Sequence, residues 1–234
     1  MVYEVIKKGG IAVLIDPDST PVEDANRIIE KAKGVAGIIL VGGSTLWNAE
    51  FDEYMRELKE ASSIPLVIFP GYSLQVSRHA DAILFLSLLS GRNPQFLIGE
   101  QVRAAPLIKR VNLEAIPTAY LLIDGGKITS AEFMSNTKPI PRDKPDIAVA
   151  HAITAELMGM KCVYMDAGSG AFYPVPDEMI EEVKKNISLP LFVGGGLKTP
   201  QDVERKRKCG ADWVVIGTAI EEDEDFLLAL RDIV

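Results

Sequence analysis

The sequence predicts an α/β fold of the (β/α)8 TIM barrel type, and three observations lead to this prediction. Short apolar runs alternate with helical periodicity along all 234 residues, as expected for a parallel sheet covered by helices. Eight apolar runs are present, and eight parallel strands close into a barrel of roughly 250 residues. No Pro- or Ser-rich linker interrupts the pattern, so residues 1–234 are expected to form a single domain. A doubly wound open sheet is the alternative.

Each predicted element has its own signal. The first strand, residues 11–15, ends at Asp16-Pro17-Asp18, and the helix at 21–33 has acidic residues first and lysines last, as the helix dipole favours. The other predicted strands are residues 37–41, 66–69, 83–86, 118–123, 161–165, 189–193 and 213–216. The other predicted helices are residues 46–61, 95–110, 146–158, 177–186, 200–209 and 223–233.

Two segments interrupt the alternation. Residues 72–80 are too short and polar for a full barrel helix, so the third connection is expected to be irregular. After the fifth strand, Asp124-Gly125-Gly126-Lys127 resembles a hairpin turn, and residues 128–136 could form a short extra strand or a loop that ends near Pro139 and Pro141. This insertion is either a plain long loop or a flap over a site at the C-terminal face of the barrel.

Composition excludes several classes of function. The net charge of −8 argues against general nucleic-acid binding, and the basic run at 205–208 is expected to form a solvated helix face. Cys162 and Cys209 lack metal-site spacing and are expected to be reduced thiols. The first eight residues lack a signal-peptide core, and no apolar run could span a bilayer. We therefore expect a cytoplasmic protein with at most peripheral membrane contact.

Three glycine-containing runs in the last third of the chain each follow an apolar stretch and precede a helical pattern. They are residues 164–170 (Tyr-Met-Asp-Ala-Gly-Ser-Gly), 193–196 (Val-Gly-Gly-Gly) and 216–220 (Ile-Gly-Thr-Ala-Ile). Glycine lets backbone N–H groups approach an anion, and a helix N-terminus adds the positive end of its dipole. We call these runs the phosphate cradle, because together they predict a binding site for a phosphorylated small molecule.

Polar residues also follow the first two strands. Asp16 and Asp18 end the first strand, and Ser44 and Thr45 end the second. All loops after the strands of a barrel meet at one face, so these residues are expected to lie across the mouth from the cradle. A carboxylate and a hydroxyl facing a phosphate suit Mg²⁺. The same residues would equally serve as turn and helix caps.

Seven segments carry a family resemblance. They are Gly-Gly-Ser at 42–44, Leu-Leu-Ser-Gly-Arg-Asn-Pro at 88–94, Ile-Gly-Glu-Gln-Val at 98–102, Ala-Ala-Pro at 104–106, Ile-Pro-Thr-Ala-Tyr at 116–120, Met-Ser-Asn-Thr-Lys-Pro-Ile-Pro at 134–141 and Tyr-Met-Asp-Ala-Gly-Ser-Gly-Ala at 164–171. In these segments the chain resembles the geranylgeranylglyceryl phosphate synthases, and the resemblance spans nearly the whole chain. Within that family it looks most like the archaeal-type branch.

The resemblance implies a prenyltransferase barrel. Members join the 3-hydroxyl of sn-glycerol 1-phosphate to an isoprenoid diphosphate, here geranylgeranyl diphosphate, in ether-lipid biosynthesis, and they form homo-oligomers, a dimer or a hexamer. Asp16 and Ser44 match the Mg²⁺-binding positions of the family. The positions that match its glycerol-phosphate site are Tyr164, Met165, Asp166, Ala167, Gly168, Ser169, Gly170, Gly195, Gly196, Gly217 and Thr218.

The chain departs from the family pattern at three positions. The family commonly has Glu where this chain has Asp166, and often Asn or Asp where it has Thr218. Bacterial members carry a lysine two residues before the metal aspartate, where this chain has Leu14. The carboxylate at 166 is one methylene shorter than in those relatives, so its contact with the glycerol hydroxyl is either direct or through water.

The implied chemistry gives individual residues a role. Asp166 would orient the attacking hydroxyl and accept its proton, and Arg92 could add a second cation beside the diphosphate. His79 and His151 are assigned no catalytic role. The candidates for an apolar groove around the prenyl tail, which could equally be ordinary core residues, are Phe69, Tyr72, Leu86, Phe96 and Tyr120.

Two other functions fit the same pattern. Barrel isomerases and lyases that act on phosphorylated sugars need an acid and a base on different strand ends, and Asp16 with Asp166 could serve. A non-catalytic protein that binds a phosphorylated metabolite is the third possibility.

Overall fold

Eight parallel strands close into a barrel in the computed structural model, which describes residues 1–47, 50–223 and 225–231. The strands pair in chain order, and the last strand pairs with the first, from Gly10 opposite Trp213 to Val13 opposite Ile216. The strands are β1 Gly10–Ile15, β2 Ala36–Val41, β3 Leu66–Ile68, β4 Ala82–Leu88, β5 Glu114–Leu122, β6 Cys162–Asp166, β7 Leu191–Gly194 and β8 Trp213–Ile216. The predicted TIM barrel is confirmed, and this closure excludes an open sheet.

Helices follow most of the strands. Within the described residues they are α1 Tyr3–Ile6, α2 Val22–Ala32, α3 Phe51–Ala61, α4 Glu100–Val111, α5 Ser130–Ser135, α6 Pro145–Leu157, α7 Asp177–Asn186, α8 Pro200–Lys208, α9 Thr218–Glu222 and α10 Phe226–Ala229. A π-helical turn, Gln95–Gly99, leads into α4. None of these helices is long and apolar enough to cross a bilayer.

Two predicted helices have different bounds in the structure. The helix expected at 46–61 begins only at Phe51, and positions 48 and 49 of that prediction lie outside the described residues. The single long helix expected at 223–233 is wrong, because the described residues of that region form only the four-residue α10, and α9 ends before it at Glu222. Positions 224, 232 and 233 of that prediction also lie outside the described residues.

The third connection is irregular, as predicted. Hydrogen bonds to distant groups replace those that a helix would have provided. The side chain of Gln75 is fully buried, donates to the carbonyl of Gly43 (2.8 Å) and accepts from the N–H of Gly71 (3.1 Å). The Glu100 carboxylate accepts from the N–H of Ser73 (2.6 Å). These bonds hold the connection against β2 and α4 and satisfy its backbone without a helix.

The insertion after β5 contains a helix, so the expected extra strand or loop is wrong there. Helix α5 is capped by Thr129, whose hydroxyl accepts the N–H of Glu132 (3.4 Å), and it ends at Asn136 with a φ of 49°. Thr129-x-x-Glu132 is the sequence pattern of a capping box. The strand signal is limited to a single bridge between Ile123 and Ile140.

Aromatic side chains fill the barrel interior. Trp213 stacks on Phe192 (ring centroids 5.6 Å apart), Phe192 on Tyr164 (5.8 Å), and Tyr164 on Phe69 (4.9 Å). The stack begins against α1, where the indole N–H of Trp213 donates to the carbonyl of Ile6 (2.7 Å). Helix α1, which the sequence pattern does not predict, thus closes the N-terminal end of the barrel.

The basic run at 205–208 is only partly a solvated face. Lys206 is buried, donates to the carbonyl of Val175 (2.6 Å) and pairs with Asp177. It therefore ties α8 to the start of α7. Periodicity explains the exception, because Lys206 follows the buried Val203 by three residues and lies on the same face of α8.

Candidate active site

The carboxyl ends of the strands surround a cavity of about 390 Å³. We call the part at the ends of β1, β2 and β6–β8 its polar half. We call the part lined by β3–β5, the π-helical turn, α4 and α5 its apolar half, although this part also includes the Glu100 carboxylate. This is the face where the loops after the strands of a TIM barrel place functional groups.

The carboxylate of Asp166 lies at the end of β6 and is held by two donors. Its Oδ2 accepts a hydrogen bond from the phenol of Tyr120 (2.6 Å), and its Oδ1 accepts from the N–H of Gly168 (2.8 Å). Burial raises the pKa of Asp166 above its ordinary value, and the two hydrogen bonds oppose that shift in part. The arrangement is an oriented carboxylate with enhanced basicity.

Gly195 brings a second backbone segment against this carboxylate. Its φ is +82°, and a Cβ at this position would lie 2.6 Å from both the Asp166 Oδ1 and the Gly168 nitrogen. Glycine alone fits such a backbone conformation and such a close approach. The loop after β7 can therefore pack directly on the loop after β6, which spans residues 167–176 and is called the β6 loop below.

The structure brings together most of the predicted cradle. Ser169, in the loop after β6, and Thr218, the first residue of α9, place their hydroxyl oxygens 3.2 Å apart. The cradle residues that line the cavity are Tyr164, Asp166, Ser169, Gly195, Gly196, Gly217 and Thr218.

The other four predicted positions do not line the cavity. Met165 and Ala167 are buried in the layer between the barrel and its helices, because successive side chains of a strand point to opposite faces. Gly168 contributes through its N–H to Asp166, and Gly170 lies beside Lys127. Of the three cradle runs, only the third leads directly into a helix, the five-residue α9.

Asp16 and Ser44 line the same cavity, at the ends of β1 and β2. The Asp16 carboxylate lies against Gly43, where a Cβ would come within 2.5 Å of its Oδ2. Burial raises the pKa of Asp16, and the charges of Asp18 and Glu221 add to the shift, whereas a hydrogen bond from the Asp18 N–H opposes it. That hydrogen bond makes Asp16 the cap of its own turn, as the turn-cap interpretation predicts.

Asp18 and Thr45 connect the first two loops. The Asp18 carboxylate accepts hydrogen bonds from the N–H of Trp47 (2.8 Å) and from the hydroxyl of Thr45 (3.2 Å). Glu221 was not predicted as a site residue, yet it lines the cavity and accepts from the hydroxyl of Ser19 (2.7 Å). These contacts fix the loop that carries Asp16.

The charges around the cavity all have one sign. Asp16, Glu100, Asp166 and Glu221 line it, and no Lys or Arg of the described residues does. An anionic ligand therefore meets no side-chain cation in the described cavity lining, and a divalent cation from solution would supply positive charge there. In the described part of the chain no three Asp, Glu, His or Cys side chains cluster as a metal site. Such a cation would take only one or two protein ligands, which suits Mg²⁺ bound mainly by water and phosphate oxygens.

Arg92 does not supply that cation, so its predicted position is wrong. Its guanidinium donates to the carbonyl of Gly91 (2.7 Å) and lies 3.5 Å from the imidazole of His151, in a separate surface groove. His79 lies near Asp52, with Nε2 and Oδ2 3.8 Å apart. Neither histidine lines the cavity.

The apolar half contains every predicted groove residue. Phe69, Tyr72, Leu86, Phe96 and Tyr120 all line the cavity. The sequence pattern did not identify others in the same half, namely Phe85, Ala104 and Met134, and the buried Gln101, whose side chain joins the carbonyls of Leu86 and Phe96. Met134 belongs to α5, so the insertion contributes to the wall of the cavity, and its role as a flap stays a prediction.

Comparisons with known proteins identify the relatives of this chain. Residues 3–234 match the PcrB family. A geranylgeranylglyceryl phosphate synthase of Chitinophaga pinensis is 45% identical over 224 residues, which is 95% of this chain and 89% of the relative. A relative of the same name from Korarchaeum cryptofilum is 44% identical over 223 residues, covering 95% of this chain and 91% of the relative.

Solved structures show the same relationship. A crystal structure of (S)-3-O-geranylgeranylglyceryl phosphate synthase from Thermoplasma acidophilum, in complex with its substrate sn-glycerol-1-phosphate, has a TM-score of 0.91 and 35% identity. The alignment covers 99% of this chain and 94% of that one. A thiamine phosphate pyrophosphorylase from Pyrococcus furiosus, with a TM-score of 0.62 and 17% identity, shares the fold alone.

Proposed function

The chain belongs to the PcrB family, and we propose that it is a geranylgeranylglyceryl phosphate synthase. The reaction joins the 3-hydroxyl of sn-glycerol 1-phosphate to geranylgeranyl diphosphate and releases diphosphate. The observation that carries this proposal is a single cavity with a glycine-rich polar half and an apolar half. Asp166 lies where the halves meet, because Tyr120, which donates to its carboxylate, also lines the apolar half.

The cradle binds the glycerol phosphate. The phosphate lies against the backbone of Gly195, Gly196 and Gly217, which approach the cavity without side chains. The hydroxyl groups of Ser169 and Thr218 are available as further donors. This placement leaves the 3-hydroxyl free to point towards Asp166.

Asp166 orients and deprotonates the hydroxyl. The bond between C1 of the prenyl group and the diphosphate oxygen breaks, and a new bond forms between C1 and the glycerol oxygen. The proton of that oxygen passes to the Asp166 carboxylate, whose pKa is raised by burial. Tyr120 and Gly168 hold the carboxylate in one orientation during the transfer.

Asp16 and Ser44 would hold Mg²⁺. They fit the ion because the cavity is lined by carboxylates without a basic side chain among the described residues. When bound, Mg²⁺ supplies positive charge that stabilises the diphosphate leaving group.

The apolar half accommodates the prenyl tail. Phe69, Leu86 and Phe96 line this half together with Met134 of α5. Packing of the prenyl group against these side chains keeps water away from the reacting carbon, where water would otherwise add in place of glycerol phosphate. A homo-oligomer, the archaeal-type branch and a cytoplasmic location stay predictions that accompany this proposal.

A transfer assay tests the proposal and separates it from the two alternatives. The purified protein is incubated with sn-glycerol 1-phosphate and labelled geranylgeranyl diphosphate, with Mg²⁺ or with a chelator, and the lipid product is identified by mass spectrometry. We expect the prenyl ether only with Mg²⁺, and its loss in Asp16→Asn. Conversion of a sugar phosphate without prenyl transfer would favour an isomerase or lyase, and binding without turnover would favour a binding protein.

A further inference from the structure

Lys127, in the loop after β5, is a basic residue positioned beside the phosphate cradle. We propose that its ammonium group binds the phosphate of the glycerol substrate, as the side-chain cation that the cavity lining lacks. The inference deepens the proposed function, since it assigns a further contact to the same substrate.

The loop that carries Lys127 is fixed to the cradle. The carbonyl of Gly125 accepts hydrogen bonds from the N–H groups of Phe172 (2.9 Å) and Tyr173 (3.1 Å) in the β6 loop. Thr129 packs closely on Gly168, because a Cβ added to Gly168 would lie 2.5 Å from the methyl group of Thr129. The backbone on both sides of Lys127 is thus held against the residues that form the cradle.

Arg142 completes this attachment. Its guanidinium donates to the carbonyls of Asp124 (2.9 Å) and Pro174 (2.8 Å), one in each loop, and lies over the ring of Tyr173 at 5.2 Å. These contacts occupy Arg142 in joining the two loops, so it does not compete with Lys127 for the phosphate.

The Lys127 side chain itself lies next to the cradle. Its Nζ is 5.3 Å from the centre of the Phe172 ring, and it would be 3.2 Å from a Cβ on Gly170. Gly170 follows Ser169, which lines the cavity. The missing side chain at 170 leaves room for the ammonium group to pass over this turn. A lysine stem is flexible enough to move its charge from the ring face to an anion beside Ser169.

The charge of Lys127 is available for a ligand. Within the described residues no carboxylate lies at ion-pair distance from its nitrogen, whereas four carboxylates line the cavity. A cation held only by an aromatic face gives up a weak contact when it leaves. A charge-assisted hydrogen bond to phosphate is stronger than the contact that is lost.

The experiment compares Lys127→Met and Lys127→Arg with a matched control. Lys161 is also exposed and lies over an aromatic ring, that of Tyr3 at 5.8 Å, but at the opposite end of the barrel. Lys161→Met therefore removes the same charge and the same type of contact far from the cradle. Calorimetric titration with sn-glycerol 1-phosphate and with inorganic phosphate is run on the full chain, together with the Michaelis constants of both substrates.

We expect Lys127→Met to weaken binding of both phosphate ligands about tenfold, as one charge-assisted contact predicts. The affinity of Lys127→Arg for both ligands should stay within about threefold of that of the parent. Lys161→Met should bind both ligands like the parent. The KM for the prenyl diphosphate should not change in any variant. Parent-like binding by Lys127→Met, or an equal loss in Lys161→Met, would overturn the inference.

The inorganic phosphate titration separates this inference from the proposed function. If the parent makes no prenyl ether but loses phosphate affinity in Lys127→Met, Lys127 binds phosphate and the proposed reaction is wrong. If the parent makes the ether and Lys127→Met binds both ligands normally, the reaction stands and the role of Lys127 is wrong.

Discussion

At the scale of single residues, Asp166 combines two opposing influences. Burial raises its pKa, and the hydrogen bonds from Tyr120 and Gly168 lower it in part. The carboxylate is therefore a stronger base than an exposed aspartate, and its orientation is fixed. Both properties follow from the position of Asp166 at the end of β6, where its side chain points into the barrel. There the loop after β6 supplies the N–H of Gly168 as one donor.

We expect Asp166→Asn to lower kcat by about 10²- to 10⁴-fold, the usual effect of removing a general base. The affinity for sn-glycerol 1-phosphate should change far less, because the amide is nearly isosteric but cannot accept the proton. Asp166→Glu should retain substantial activity. Steady-state kinetics of both variants give the test. Parent-like turnover by Asp166→Asn would mean that Asp166 only supports the turn and is not the general base.

Tyr120→Phe should shift the pH dependence of kcat. The phenol stabilises the charged form of Asp166, so its removal raises the pKa of the carboxylate, and the acidic limb of the profile moves to higher pH. Tyr164→Phe is the matched control, since its ring centroid lies 5.6 Å from that of Tyr120 and the described hydrogen bonds to the carboxylate come from Tyr120 and Gly168. An unmoved acidic limb in Tyr120→Phe would mean that another group controls it.

The sequence predicted which residues meet at the site better than it predicted their orientation. Asp16, Ser44, Asp166 and Thr218 lie at or just after the carboxyl ends of different strands, and barrel topology alone places such residues at one mouth. The side chain of Met165, another predicted position, lies in the core and not in the cavity, because the two-residue period of a strand turns it away from Asp166. The direction of the Arg92 side chain depends on the path of its loop, which has no periodic signal.

At the scale of elements, the main departure from the sequence pattern is α1. Four helical residues are too few for a periodic signal, yet Ile6 is fully buried at the N-terminal end of the barrel and accepts the indole N–H of Trp213. The start of this helix is capped from a distance, because the Glu114 carboxylate accepts the N–H groups of Val2 (2.6 Å) and Tyr3 (3.1 Å). Such a contact joins residues more than 100 positions apart and leaves no local pattern.

Glu114→Ala should destabilise the protein without changing catalysis. It leaves two N–H groups without their acceptor, which reduces the free energy of unfolding by about 1–2 kcal/mol. Glu114→Gln retains one acceptor oxygen and should lose about half as much. Urea unfolding at fixed protein concentration measures both. A loss of kcat/KM in the folded variant would contradict the assignment of Glu114 to the closed end of the barrel alone.

Helix α5 has a local sequence signal that its neighbouring glycines obscure. The hairpin-like Gly125-Gly126 favours a strand or loop in the insertion, whereas Thr129 and Glu132 have the capping-box spacing of a helix start. By contrast, the irregular third connection was predicted correctly, since residues 72–80 carry no helical periodicity. How α5 and the third connection pack against the cavity depends on tertiary contacts, and the local sequence of neither segment encodes those contacts.

At the scale of the whole molecule, the two ends of the barrel have different roles: one end is packed shut and the other carries the candidate active site. Its N-terminal end is closed by α1 and the aromatic stack, and its C-terminal end opens into the cavity. The stack reaches from Trp213 to Tyr164, which also lines the cavity. The residues of the closed end therefore pack, through Phe192, against the Tyr164 ring that forms part of the cavity wall.

The central claim is that this one cavity holds both substrates on either side of Asp166. A crystal structure with sn-glycerol 1-phosphate and a non-reactive thio analogue of geranylgeranyl diphosphate tests it most directly. We predict the phosphate against Gly195, Gly196 and Gly217, the 3-hydroxyl about 2.6–3.2 Å from the Asp166 carboxylate, and the tail between Phe69 and Phe96. A phosphate bound outside the cradle, a hydroxyl turned away from Asp166, or a tail outside the cavity would contradict the account.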